Sequence, residues 1–255
     1  MILAACYTVF NGLELLEKSI AQIESEVDFI ILCYQTVSNK GMMSDKVRPF
    51  LDRFQGNKKF HLLYFEPSMK KNTKENERDK HQLMLNYART LRCTHFLLSA
   101  CDHFYNTEQF RFGKNFHYHH NLEVSFTKMF TYYKNPTWQL FPMEDYYMPF
   151  IMKITPETRI DRVSKYPVKT DPSVQVNTYE KYSVFAPDVL VMHHYSMIRA
   201  DIKDKFSNAA ASIRWTREDV NTFIQEYINY SLETNPGIKY FGGRKVKAVP
   251  NYFNL

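Results

Sequence analysis

The chain has 255 residues, with 33 Lys and Arg against 27 Asp and Glu for a net charge of +6, and is 44% apolar and 16% aromatic. That composition supports a sizeable core and excludes wholesale disorder, and no run approaches the roughly 20 apolar residues of a membrane span. Four widely spaced cysteines (Cys6, Cys33, Cys93, Cys101), three of them in strongly apolar runs, read as buried thiols of a reducing compartment, so a soluble cytoplasmic protein is expected. Residues 1–10 are apolar without a basic start or a small-residue cleavage site and read as a strand, closed by the turn pair Asn11-Gly12. Leu13, Leu15, Leu16, Ile20 and Ile23 then repeat at helical spacing. Residues 27–34 form a continuous apolar run, as in a strand buried on both faces. Residues 35–44 are polar loop, 46–54 a short helix, 60–65 a third strand and 67–76 a lysine-rich loop. A helix over 77–91 and a fourth strand over 94–100 follow. Strand–helix alternation with short connections implies a mostly parallel sheet covered on both faces, with ligands at the carboxyl ends of its strands.

Beyond Asp102 the pattern becomes irregular and aromatic. Strands are expected over 124–133, 146–154 and within 183–191, where Pro187 interrupts, and a helix over 201–214. Thr216 caps a helix running to 232, with Glu218 and Asp219 in its first turn. Residues 239–247 hold four basic and no acidic side chains and read as a basic tail. Without a linker, a single domain over 1–255 is expected, its first half over 1–105 elaborated by a second over 106–215, with the helix and tail over 216–255.

Several chemistries are excluded. The seven glycines make neither GxGxxG nor GxxxxGK[ST], and CxxC, GxSxG and HExxH are missing; glycine-rich phosphate cradles, zinc ribbons, serine hydrolases and zincins are therefore disfavoured. The cluster His117-Tyr118-His119-His120 lacks the spacing and companions of a zinc site and reads as a polar loop. Arg78 and Lys80, at the expected start of a helix, oppose its dipole and favour an anionic partner. Gln35 and Asn39, after the second strand, could read a base or ribose by hydrogen bonding; Tyr7 could stack on the base or simply pack.

The segment Glu77-Arg78-Asp79-Lys80, then a helix, then an apolar strand ending Ala100-Cys101-Asp102-His103-Phe104-Tyr105, resembles GT-A-fold glycosyltransferases of the family-2-like kind, whose strand ends in an acidic metal-binding motif. Asn11 with its following helix is similar to the first loop of such enzymes, Met143-Glu144-Asp145-Tyr146 to their acceptor-side acidic motif, and His193-His194-Tyr195-Ser196 with Arg199 and Lys205 to their late histidine motif. The resemblance runs to about Trp215. It implies an α/β fold with a Rossmann-like nucleotide-binding half, and transfer of a sugar from a nucleotide-diphosphate donor to a hydroxyl of a glycan or of a hydroxymethylated base in DNA. It also implies donor contacts from Tyr7, Asn11, Gln35, Asn39, Arg78, Lys80, Asp102, Arg199 and Lys205. The acceptor would be deprotonated by Asp145, favoured over Glu144. A divalent ion, Mn²⁺ or Mg²⁺, would sit on Asp102 with His193 or His194; His193 is slightly favoured, and imidazole suits Mn²⁺ better. The chain departs from the pattern where Ala100 replaces the first Asp of Asp-x-Asp and His103 the trailing Glu. That departure motivates a second hypothesis, a non-catalytic nucleotide- or nucleic-acid-binding protein on the same fold.

Overall fold

The computed structural model describes residues 1–161, 166–177, 180–208 and 215–255. Four parallel strands form its first half: β1 (Leu3–Val9) lies between β2 (Phe29–Tyr34) and β4 (His95–Ala100), with β3 (Phe60–Tyr64) outside β2. Alternation along β1 explains the layering. Leu3, Ala5, Tyr7 and Val9 face one core with α1 (Leu13–Ile23), whereas Ala4 and Cys6 face another with Met84, Leu85 and Ala88 of α3 (Thr73–Thr90). Both faces are buried, so β1 and β2 appear in the sequence as unbroken apolar runs. The short α2 (Val47–Leu51) covers the β2 side of the first core.

The sheet continues through β8 (Tyr147–Lys153), antiparallel to β4, to β6 (Val124–Tyr133), β7 (Trp138–Phe141) and β11 (Lys245–Ala248). β6 also pairs in parallel with β9 (Tyr182–Val184) and β10 (Val191–Met197), and β10 pairs antiparallel with the two-residue β5 (His103–Phe104). Parallel strands under the first half and mixed pairing under the second make an α/β arrangement with a mostly parallel sheet at one end, the class of fold expected from the sequence. α5 (Ile202–Asn208) and α6 (Arg217–Asn229) pack with β7, β10 and β11 around a third core. Among the described residues no helix is long and apolar enough to cross a membrane. All four cysteines are free and buried.

Three local expectations need correction. α3 begins at Thr73, not residue 77, because Asn72 and Glu75 form a capping box; Arg78 and Lys80 therefore lie past the first turn, and the dipole mismatch inferred for them does not exist. The histidine cluster is not a loop: it closes α4 (Thr107–His119), which Asn106 caps, with His117 fully buried and hydrogen-bonded to Ser125. The basic tail contains β11, held by the buried Val246. The helix expected over 201–214 is present as α5 to Asn208, and positions 209–214 lie outside the described residues.

Candidate functional site

A cavity of about 510 Å³ opens at the carboxyl ends of β1, β2 and β4, where an open parallel sheet places its ligands. Its floor is set by three chain exits: Asn11 after β1, Gln35 after β2 and Asp102 after β4. Asp102 is the electrostatic centre. Its side chain is 6% exposed, and its Oδ2 accepts from Nη2 of Arg199, itself 4% exposed. Lys205 Nζ lies 3.7 Å away on α5. Burial pushes the Asp102 carboxyl up, but Arg199 and then Lys205 outweigh it and hold the group well below the usual carboxylate range.

Two histidines complete the cluster. The register of β5 against β10 sets His103 opposite His194, with ring centroids 5.3 Å apart. Their Nε2 atoms lie 3.8 and 3.9 Å from the Asp102 carboxylate. Burial pushes the His194 imidazole down to about 3 and also lowers His103, which favours the neutral form of both rings. Neutral imidazoles can donate a lone pair to a metal. One ligand atom from each of Asp102, His103 and His194 falls within 4.8 Å of the others. The trio could therefore hold a divalent cation, and one carboxylate with two imidazoles suits a transition ion better than Mg²⁺ or Ca²⁺.

His193 does not belong to this set. Strand alternation turns it to the opposite face, where Nδ1 pairs with the Tyr132 hydroxyl at 2.6 Å and the ring packs on Phe253. The same period of two that excludes His193 selects His194.

Arg199 reaches Asp102 because of Gly12. That residue has φ +74°, and a Cβ there would lie 2.6 Å from Arg199 Nη1. The loop after β10 is further fixed by the Ala200 N–H, which donates to Glu14 on α1 at 3.1 Å. Arg199 Nε and Nη1 are buried without a partner among the described residues.

The other expected donor contacts divide. Gln35, 2% exposed, donates through Nε2 to the Val37 carbonyl at 2.8 Å, which leaves Oε1 buried without a partner among the described residues. Asn39 and Asn11 also line the cavity, Asn11 Nδ2 lying 3.4 Å from Asp204 on α5. Lys80 lines the cavity over the Phe65 ring, and burial pulls its ammonium below the usual lysine range. Tyr7 does not reach the cavity: it is fully buried on the α1 side, its hydroxyl 3.3 Å from Ser19. Arg78 is not among the lining residues.

The acidic pair separates as well. Glu144 lines the cavity and accepts from the Thr131 hydroxyl. Asp145 faces solvent, with a 79% exposed side chain 3.2 Å from Lys128. Asp145 therefore lies off the cavity that Glu144 lines, since the loop turns the earlier carboxylate inward.

No protein-family model matches the sequence, and no curated protein is similar to it at sequence level. Among solved structures the fold is similar to that of S. aureus TarS. TarS 1-349 in complex with UDP matches with a TM-score of 0.49 and 9% identity over 92% of this chain and 74% of that one. Its complex with UDP-GlcNAc gives 0.47 and 10% over 90% and 72%. Of the longer TarS structure this chain covers 45%. A weaker likeness, with a TM-score of 0.35 and 12% identity over 59% of this chain and 50% of that one, is to mannose-1-phosphate geranyltransferase from Thermus thermophilus. Such distant likenesses describe a shared outline, and the reading of the site rests on its own geometry.

Sequence reasoning missed some cavity residues. Asn208 stands three residues after Lys205 on α5, the spacing that puts two side chains on one helix face. Lys74 bridges Glu77 at 3.4 Å and Asp171 at 2.7 Å beside the opening; Asp171, distant in sequence, gave no signal.

Proposed function

We propose that this chain is a glycosyltransferase that moves a sugar from a nucleoside-diphosphate donor to a hydroxyl acceptor, a glycan or a hydroxymethylated base of DNA. The observation that carries this reading is the meeting of Arg199 and Lys205 with Asp102, His103 and His194 inside one cavity at the strand exits. Breaking a sugar–phosphate bond leaves negative charge on the departing diphosphate, and preorganised cations in a buried site lower the barrier to that step. Arg199 has unused N–H donors for phosphate oxygens, and Lys205 and Lys80 add two point charges. Gln35 offers an unpaired acceptor to an N–H of the base or a hydroxyl of the ribose. Glu144 is the carboxylate positioned to take the proton from the attacking hydroxyl. A divalent ion held by Asp102, His103 and His194 would supply Lewis-acid neutralisation of the diphosphate.

The test is a panel of nucleotide sugars followed by nucleotide release, with glycans and hydroxymethylated DNA as acceptors. UDP-GlcNAc, a ligand crystallised with TarS, is a reasonable first member. Acceptor-dependent release supports transfer. Saturable binding of a nucleotide without release from any sugar supports the second hypothesis, a binding protein that keeps the pocket without turnover.

A further inference from the structure

The connection from β7 to β8 is an arch whose two feet share one chemistry. β7 and β8 follow the same edge of β6, with Gln139 opposite Tyr132 and Tyr147 opposite Lys128, while β10 takes the other edge. The returning chain uses more residues than β6 between those two pairs. The surplus, residues 142–146, arches out and brings Glu144 and Tyr146 to the cavity wall. At the first foot Phe141 is 56% exposed; β11 sets Lys245 directly opposite it and Lys247 Nζ 5.6 Å from its ring centre. The burial of Val246 between them turns both lysines to the surface. At the second foot Tyr146 is 38% exposed, with Lys169 Nζ 4.6 Å from its ring centre. The Lys169 carbonyl accepts from the Tyr147 N–H at 2.8 Å, which fixes that lysine beside the arch. Asp145 is the outward carboxylate of the arch, and Lys128 holds it at 3.2 Å. Among the described residues Lys169, Lys245 and Lys247 pair with no carboxylate.

An exposed ring set against a lysine can take a flat group on its face while the ammonium takes an anion. A neutral glycan would use the rings and leave three ammonium groups unmatched. A polyphosphate would do the reverse. A nucleic-acid strand repeats a flat base and a phosphate at every unit and matches both, and only an unpaired strand offers its base faces. We propose that this arch binds an unpaired nucleic-acid strand, with bases stacked on Phe141 and Tyr146 and phosphates on Lys169, Lys245 and Lys247, and that the strand carries the acceptor hydroxyl to Glu144. The delivery to Glu144 rests on reading the cavity as a glycosyl-transfer site; the binding surface itself does not.

Fluorescence anisotropy on the full chain, with no nucleotide sugar present, tests it with three labelled probes: an oligo-dT, an abasic strand of the same length and charge, and a duplex of that length. Oligo-dT is expected to bind at least about tenfold more tightly than the abasic strand, and more tightly than the duplex. Phe141→Ala and Tyr146→Ala should each weaken oligo-dT by about fivefold or more and leave the abasic strand unchanged. Lys169→Met and Lys247→Met should weaken both single strands, each lowering the slope of log affinity against log salt by about 0.7. Tyr118→Ala, at an exposed ring near Leu3 and the opposite end of β1, should change nothing. Equal affinity for oligo-dT and the abasic strand overturns the inference in favour of a phosphate-rich polymer. Oligo-dT binding that none of the four arch variants alters overturns it too. Strand binding without nucleotide release from any sugar leaves this surface standing and removes the transfer reading, whereas release onto a glycan by a chain that ignores oligo-dT does the opposite.

Discussion

Replacing Asp102 with Asn separates a buried ion pair from a surface one. Asp102 and Arg199 have side chains 6% and 4% exposed, and Lys205, at 22%, shares the same carboxylate oxygen. The substitution keeps shape and one hydrogen-bond acceptor but leaves two cations without their counter-charge. Removing one partner of a buried pair typically costs ~3–5 kcal/mol, against ~1 kcal/mol or less for an exposed pair. At ~2–4 °C per kcal/mol for a chain of this size, Tm should fall by roughly 6–20 °C. The gap between wild type and variant should narrow in acid. A carboxyl held well below its ordinary range contributes stability above its unfolded pKa and loses it as pH falls through the folded value. Sulfate or UDP should recover more of the loss in the variant than it adds to wild type, because an anion restores the missing charge. Thermal unfolding by circular dichroism at neutral and acid pH reads all three effects. A Tm within about 2 °C of wild type, unresponsive to anions, would contradict a buried Asp102 holding two cations.

Other positions give independent readouts. Glu144→Gln should lower the rate of acceptor-dependent nucleotide release by about 10²-fold or more while leaving UDP affinity nearly intact, whereas Asp145→Asn should remain near wild type; steady-state kinetics decides between them. Gly12→Ala, at φ +74° with a Cβ 2.6 Å from Arg199 Nη1, should lower both Tm and UDP affinity, since it strains the turn and displaces the guanidinium. His117 bears on pH rather than ligand. Burial pushes its imidazole down to about 3, whereas an unfolded histidine takes its proton near 6.5. The unfolded chain therefore binds more protons across that window, and stability falls as pH falls through it. His117→Gln should lose roughly 2–3 kcal/mol less than wild type between pH 6.5 and 4.5, measured by urea denaturation; equal losses would mean that His117 is solvated.

The first half of the fold was legible because β1, β2 and β4 are buried on both faces, so each appears as a continuous apolar run, and because Leu15, Leu16, Ile20 and Ile23 mark one face of α1. What was misread had weaker or competing signals. The start of α3 is written in Asn72 and Glu75, a capping box inside a lysine-rich stretch whose polarity suggested loop. α4 escaped because histidines and exposed aromatics obscure its buried face of Phe110, Gly113 and His117, although three- and four-residue steps and the Asn106 cap were present. Of the side chains that meet in the cavity, Asp102, Arg199 and Lys205 were suggested by the order of their short motifs along the chain. The choice of His194 over His193 depends on register, because only the pairing of β10 with β5 fixes which parity faces Asp102. Glu144 and Asp145 lie in a loop without periodicity, so nothing in sequence says which turns inward. Tyr7 illustrates the reverse error: on a two-sided strand, nearness to the carboxyl end does not bring a side chain to the ligand, and alternation put it in the α1 core.

The most direct measurement is a crystal structure of the chain with UDP or GDP and Mn²⁺. The account predicts the diphosphate against Arg199 and Lys205, with the ion between it and Asp102, His103 and His194, and the nucleoside toward Gln35. Nucleotide bound elsewhere, or a cavity still closed by the Arg199–Asp102 pair at saturating nucleotide, would contradict it.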